Sequence, residues 1–157
     1  MALTLLAGGC AEHRGPGDLL SAAESHEREG RHEQAVLTIE EAVRLNPESA
    51  ELHRAAGRIQ ADAGNPSRAV SHYEKAAILA PGDAGIWVAL AEIERDRGNF
   101  ADAYVAYRRA AEIDPDDIWA VSGLALTADQ LGFEEEASVA YERWNELSRK
   151  EPESTVP

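Results

Sequence analysis

Two histidines near the start of the chain, in the stretch HEREGRH from His26 to His32, are the residues most suggestive of metal chemistry. A zinc-binding protease helix carries two histidines four residues apart, because that spacing points both rings at one ion. Here the position four residues after His26 is Gly30, a residue type that commonly ends a helix. The five histidines share no ligand spacing. The sequence therefore predicts no metal site and no bound cofactor.

The remaining motifs and the composition argue against catalysis and against nucleic acid. The chain has no glycine-rich phosphate loop and no Gly-x-Ser-x-Gly turn that would expose a nucleophile. Of its 157 residues, 29 are acidic and 15 basic, and the resulting net charge of −14 would repel a phosphate backbone. Alanine is abundant and β-branched residues are sparse, which favours helices. We expect a helical protein that is not an enzyme.

Cys10 is the only cysteine, which excludes an internal disulfide. It follows an apolar run and two glycines in LTLLAGGCAEH, from Leu3 to His13. This stretch resembles the end of a bacterial lipoprotein signal peptide, in which the cysteine thiol accepts a lipid. The resemblance implies a leader and spacer over residues 1–17, with the lipid on Cys10. Because Ala11 is not the aspartate that favours the inner membrane, it also implies an outer-membrane lipoprotein facing the periplasm.

Departures from the lipoprotein pattern keep a second interpretation open. Ala7 stands where that family usually has leucine, and no Lys or Arg precedes the apolar run. No stretch reaches the ~20 apolar residues that span a bilayer, so the lipid would be the only membrane attachment. The alternative is a soluble cytoplasmic or secreted protein in which Cys10 is incidental.

A period of 34 residues organises the rest of the chain. Glycines and prolines recur at this spacing, and so do a column of small residues and a column of bulky ones. Residue types that agree at one spacing over four copies indicate stacked structural units. The columns are Gly30, Gly64, Gly98 and Gly132; Pro47, Pro81 and Pro115; Ala23, Gly57, Ala91 and Ala125; and Ile39, Tyr73, Tyr107 and Tyr141.

This pattern resembles the tetratricopeptide repeat, which has the same period. The third copy matches best, through Trp87, Leu90, Ala91, Gly98, Ala103, Tyr107, Ala110 and Pro115. The resemblance implies an all-α, right-handed α-solenoid of antiparallel helix pairs over residues 18–150. The expected units are 18–47, 48–81, 82–115 and 116–150, and residues 151–157 are expected to be a disordered tail.

Turn and cap residues fit two helices per unit. The glycine ends the first helix, because a left-handed turn is unstrained without a Cβ. The proline follows the second helix and disfavours its continuation. Ser49, Asp83 and Asp117 each lie two residues after a proline and are predicted N-caps, and Asp18 is predicted to cap the first helix.

Two columns depart from the repeat pattern. One column changes its residue type in every copy: Leu19, His53, Trp87 and Val121. In the other, Trp144 replaces the alanine of earlier copies, and no fifth unit is expected to stack on it. Trp144 is predicted either to cover the open end or to expose an apolar surface for another helix or a second copy of the chain.

The resemblance implies a concave groove lined by the first helices. Trp119 is a large aromatic residue outside the core columns and is a candidate binding anchor, although it could instead pack on the Pro115 turn. The predicted groove residues are Glu51, Arg54, Arg58, Val88, Glu92, Arg95, Trp119 and Ser122.

Arg54 and Arg58 allow two interpretations. They could hold a carboxylate of a bound peptide. Their spacing from Glu51 and Asp62 also fits a solvated ladder of ion pairs along one helix. Chaperone-binding relatives hold a carboxylate with a clamp of lysines and asparagines. The matching positions here are Leu20, Glu24, Ala55, Gly85 and Ala89. Because the clamp is absent, chaperone tails are disfavoured as partners.

Taken as a whole, the sequence predicts a noncatalytic adaptor or scaffold that binds a peptide or helix of a protein partner in its groove. Its expected setting is the bacterial envelope, where it would assist the assembly of a complex. A soluble adaptor and a self-associating structural module are the alternatives.

Overall fold

The computed structural model describes residues 15–150, with Lys150 described by its backbone alone. Within this range the chain forms eight α-helices, which confirms the predicted all-α class. The predicted anchor Cys10 and the predicted tail, residues 151–157, lie outside the described residues. The helices are α1 (Pro16–Arg28), α2 (His32–Leu45), α3 (Ala50–Asp62), α4 (Pro66–Leu79), α5 (Ala84–Asp96), α6 (Phe100–Ile113), α7 (Ile118–Gln130) and α8 (Glu134–Lys150).

The helices form four hairpins that stack in chain order. Each odd-numbered helix packs on the even-numbered helix that follows it, and each hairpin packs on the next through α2 with α3, α4 with α5, and α6 with α7. The first helices also touch directly, α1 with α3 and α5 with α7. The chain therefore builds a row of units, each held by its immediate neighbours.

The turn inside each hairpin is made by a glycine in the left-handed region. Gly30, Gly64, Gly98 and Gly132 have φ values of 71°, 76°, 80° and 77°. These are the only residues of the described chain with positive φ. A side chain at these positions would be strained, so the recurrence of glycine follows from the backbone itself.

The predicted N-caps are confirmed for three of the four first helices. The side chain of Ser49 accepts the N–H of Leu52 at 3.3 Å, and Asp83 accepts that of Gly85 at 3.0 Å. Asp117 accepts the N–H of Trp119 at 2.9 Å and that of Ala120 at 3.2 Å. Each cap satisfies backbone donors that the first turn of a helix leaves unpaired.

The prediction that Asp18 caps α1 is wrong. The N-cap is Gly15, and α1 begins at Pro16, two residues before the predicted start of the repeat array. Proline at the first helical position has its φ already set for a helix and lacks only an N–H that would be unpaired. Asp18 lies in the first turn, where its carboxylate accepts the N–H of Gly15 at 3.0 Å.

The core is formed where bulky side chains of the second helices meet small residues of the first. Ile39, Tyr73 and Tyr107 are buried, as are the alanines of the small column. A Cβ at Gly57 would lie 2.7 Å from the ring of Tyr73, and a Cβ at Gly123 only 2.2 Å from the ring of Tyr107. Glycine at these two positions therefore allows the aromatic rings to lie against the helix backbone.

The lengths and polarity of the helices bear on membrane insertion. Within residues 15–150, no helix combines the length and the apolar character that crossing a bilayer requires.

Candidate protein-binding groove

A cavity of about 310 Å³ opens on the concave face and is lined by residues of α1, α3, α4 and α5. It brings together the three groove residues predicted on α3, Glu51, Arg54 and Arg58. The five positions that match the chaperone clamp also line it, and none of them is a lysine or an asparagine. The full lining is Leu20, Glu24, Glu51, Arg54, Ala55, Arg58, Tyr73, Gly85 and Ala89.

Tyr73 reaches this cavity from α4 and was not predicted as a groove residue, because its column marks it as core. It is both: the ring lies against Gly57, and the side chain also lines the cavity. Burial raises the pKa of its hydroxyl to about 12. Tyr73 therefore offers a neutral hydroxyl to the groove at physiological pH.

The two arginines of α3 differ in their partners. Arg58 forms ion pairs with Glu27 and, at 3.7 Å, with Glu24, both on α1. Burial alone would lower the pKa of the Arg58 guanidinium, but these two carboxylates raise it. Among the described residues, Arg54 forms no ion pair. The ion pairs of Arg58 therefore reach across to α1, while Asp62 on its own helix also raises the pKa of Arg58.

The groove positions predicted on α5 do not line this cavity and are less exposed than those on α3. Val88, Glu92 and Arg95 are half-buried. Burial raises the pKa of Glu92, while nearby Arg95 lowers it. Arg95 donates to the hydroxyl of Tyr107 at 3.1 Å and pairs with Asp96 at 3.3 Å. This stretch therefore presents a partly desolvated carboxylate beside an arginine that already has partners.

The groove positions predicted on α7 do not line this cavity, and they lie on a mainly apolar face. Trp119 is 69% exposed, which leaves little of its ring packed against the Pro115 turn. The Pro115 carbonyl instead accepts a hydrogen bond from Arg143 at 3.4 Å. Ser122 is half-buried one turn after Trp119, and Leu126, one turn further, is 46% exposed. Residues at this spacing share one face of a helix.

Leu126 was not among the predicted groove residues. The repeat period could have found it, because Leu126 occupies the same column as Arg58 and Glu92. The predicted groove positions, with Leu126 added, therefore change in character, from charged side chains on α3 to Trp119 and Leu126 on α7. Within residues 15–150, no group of three or more His, Cys, Asp or Glu side chains is arranged to hold a metal ion.

At the far end of the stack, Trp144 is half-buried and lies against Tyr141, with ring centroids 6.1 Å apart. Tyr141 belongs to the bulky column but is less buried than Tyr73 and Tyr107. Both proposed roles for Trp144, a cap or a contact surface, stay predictions.

Comparison with known proteins agrees with the hairpin stack and the repeat columns. A family model described as the tetratricopeptide repeat matches residues 20–84 and 54–118. The chain belongs to the tetratricopeptide repeat family. In this family the stacked hairpins form a right-handed solenoid that typically serves as a noncatalytic protein-interaction module, and the predicted fold class is confirmed.

Solved structures of similar shape support the tetratricopeptide solenoid. One crystal structure of MamA is 21% identical, covers 89% of this chain and 82% of its own, and superposes with a TM-score of 0.82. A second crystal structure of MamA is 20% identical over 90% of this chain and 78% of its own, with a TM-score of 0.78. MamA from Desulfovibrio magneticus RS-1 is 17% identical over 90% and 78%, with a TM-score of 0.73. At these identities the likeness shows the fold. A search of curated proteins found no significant match.

Proposed function

We propose that this protein is a noncatalytic scaffold that binds a segment of a protein partner along its concave face. The observation that carries the proposal is the exposure of Trp119 and Leu126 on one face of α7. Large aromatic side chains are favoured anchors of protein interfaces, because they bury much apolar area at little cost in conformational entropy. The fold supports a general role in protein interaction, and Trp119 and Leu126 offer a surface for the contact.

The change of character along the groove limits the partner segment. An apolar side chain of the partner would pack on Trp119 and Leu126, and polar groups would lie over α3. There Arg54 could bind a carboxylate, whereas Arg58 is already paired with Glu24 and Glu27. A segment with an apolar part and a polar part fits this wall better than one that is uniformly charged.

Site-specific photocrosslinking tests which face contacts the partner. A benzophenone amino acid would replace Trp119 on the concave face or, as the matched control, Ile78 on α4. Ile78 is an equally exposed apolar residue of a second helix. We expect a discrete crosslinked product from position 119 in cells and none from position 78. The same products from both positions, or none from 119, would contradict the groove proposal.

Substitution of the anchor gives an independent test. Trp119→Ala should weaken recovery of the crosslinked or co-purified partner about tenfold or more, as expected for an interface anchor. The far-UV circular dichroism should be unchanged, because the side chain is mostly solvated. Ile78→Ala is the control and should leave recovery unaltered.

We also propose that Cys10 carries a lipid that tethers the scaffold in the bacterial envelope, facing the periplasm from the outer membrane. The support is the apolar run and the paired glycines in front of this cysteine. Mass spectrometry of the protein from its native cells tests the tether. We expect an N-terminal, lipid-modified Cys10; a free thiol on a chain that still begins at Met1 would sink the proposal and leave the groove proposal standing.

A further inference from the structure

On the side of the stack opposite the concave groove, consecutive second helices leave recesses between them. Three equivalent places recur: between α2 and α4 over α3, where His53 and His72 lie, and between α4 and α6 over α5 and between α6 and α8 over α7, where cavities open. The floor of each includes the column of His53, Trp87 and Val121. On α7, Val121 lies about 200° around the helix from Trp119, so recess and groove use different faces of the same helix.

The chain fills its first two recesses with aromatic rings of its own. In the α2–α4 recess, His53 donates from Nε2 to the Pro47 carbonyl at 2.9 Å, and His72 of α4 lies beside it with ring centroids 5.4 Å apart. In the α4–α6 recess, Trp87 donates from Nε1 to the Pro81 carbonyl at 3.3 Å. A flat ring with an N–H donor thus satisfies the proline carbonyl in both places.

The α6–α8 recess has no such ring. Val121 occupies the position of His53 and Trp87, and Ala140 occupies that of His72. The cavity there measures about 700 Å³, more than twice the roughly 290 Å³ left beside Trp87. Pro115 lines the cavity, and among described residues its carbonyl accepts only the long 3.4 Å bond from Arg143. A carbonyl oxygen has a second lone pair and can accept another donor.

We propose that the α6–α8 recess binds an aromatic side chain with a ring N–H, a tryptophan, presented by a protein partner. The two recesses that the chain fills itself define this chemistry: a ring over the floor helix and an N–H directed at the proline carbonyl. The walls are mainly apolar, formed by Tyr104, Leu124 and Val139 among others. The volume lies in the range of known ligand sites.

Charged groups surround the apolar centre of this recess. Arg108 and Arg143 lie towards one end, and Glu135 and Glu136 lie at the start of α8. Arg108 also lies over the ring of Tyr104, 5.6 Å from its centroid. An apolar centre with a polar rim is the usual composition of a protein–protein contact, which favours a side chain on a partner over a free small molecule. The proposal does not depend on the concave groove.

Methyl NMR of the full chain tests the recess, with N-acetyl-tryptophanamide as the probe. We expect saturable shifts of the methyl groups of Val121, Leu124 and Val139. Val105 lines the equivalent recess that Trp87 fills, so its methyl groups should not shift. The 1-methyl indole analogue, which lacks the N–H, should bind about fivefold more weakly, the effect of one hydrogen bond. N-acetyl-leucinamide should give no saturable shift.

A variant that fills the α6–α8 recess with a tryptophan of its own provides a second test. Val121→Trp should raise the thermal midpoint and abolish the probe-induced shifts at Val139. If the variant does not fold, the titration of the unaltered chain still decides the matter. Absent shifts, equal shifts with the leucine amide, or equal shifts at Val105 would overturn the proposal.

Discussion

Among single side chains, His53 is a buried polar residue whose protonation bears on the fold. Burial lowers the pKa of its imidazole, and the nearby charges of His72 and Lys75 lower it further. The Pro47 carbonyl and Glu48 act in the opposite direction. His53 Nδ1 also lies 3.1 Å from His72 Nδ1, so positive charge on both rings would be repulsive. The neutral ring is therefore the form that fits the fold.

This constraint predicts a pH-dependent stability. Because the pKa of His53 is lower in the folded chain than in the unfolded one, the unfolded state takes up the proton first as pH falls. The contribution of His53 should be complete above about pH 6.5 and be lost as the pH drops below that value. Urea unfolding between about pH 7.5 and pH 5.5 measures the loss.

Substitution of histidines identifies the group that is responsible. His53→Gln should flatten the dependence on pH in this window, whereas His32→Gln, at an exposed position, should leave the slope unchanged. The same slope in both variants would show that other groups cause the effect.

Gly123 is a second residue whose identity is set by one contact. A Cβ there would lie 2.2 Å from the Tyr107 ring, so Gly123→Ala should lower the free energy of unfolding. Overpacking costs about 1–3 kcal/mol, and the better helix propensity of alanine returns up to about 1 kcal/mol. We expect a net loss of about 1–2 kcal/mol by urea unfolding.

A matched glycine separates contact from propensity. Gly17 of α1 has nothing within 4 Å of its would-be Cβ, so Gly17→Ala should leave stability equal or slightly higher. If both substitutions stabilise the chain, the Tyr107 contact is not what requires glycine at position 123.

The first helices of the hairpins are delimited by short local signals. A capping side chain begins α3, α5 and α7, and a glycine in the left-handed region lies just after all four first helices. Because these signals act over only a few residues, the repeated helices can be located from the sequence without knowledge of their packing.

The cap of α7 gives a prediction at this scale. Asp117→Ala removes the acceptor of two backbone N–H groups and should lower the free energy of unfolding by about 1 kcal/mol. Asp117→Asn retains a capping oxygen and should lose only a few tenths. Equal losses for the two variants, measured by urea unfolding, would contradict the capping role.

The elements also show what sequence could and could not supply. The 34-residue period located the helix pairs, because glycine ends the first helix of each pair and proline disfavours continuation of the second. It did not reveal that Arg58 pairs with α1, since spacing along one helix says nothing about the helix beside it. The column containing His53, Trp87 and Val121 was visible, but the cavity over Val121 depends on how far α6 and α8 lie apart. Leu126 was predictable from its column and was missed.

The stability of the whole molecule depends on contacts between adjacent hairpins. In the described part of the chain, extensive contacts join only hairpins that are adjacent in the stack, so the two ends are not held by one central core. The stability of such arrays is close to a sum of unit and interface terms. Inner hairpins have two interfaces and the terminal hairpins one, which makes the ends easier to open.

Hydrogen exchange measures this gradient. In mass spectrometry of the native full chain, amide protection should be greater in α3 to α6 than in α1 or α8. A chain that unfolds in a single concerted step would instead show the same protection in the slowest amides of every helix. That outcome would contradict opening from the ends.

The two faces of α7 have a further consequence. Trp119 and Val121 are two positions apart in sequence but point away from each other across a helix about 10 Å wide. Among the residues that the structure describes, no predicted groove residue lines the α6–α8 recess. Two partner molecules could therefore bind at the same time, on opposite faces of α7. The width of this helix would then set the distance between them.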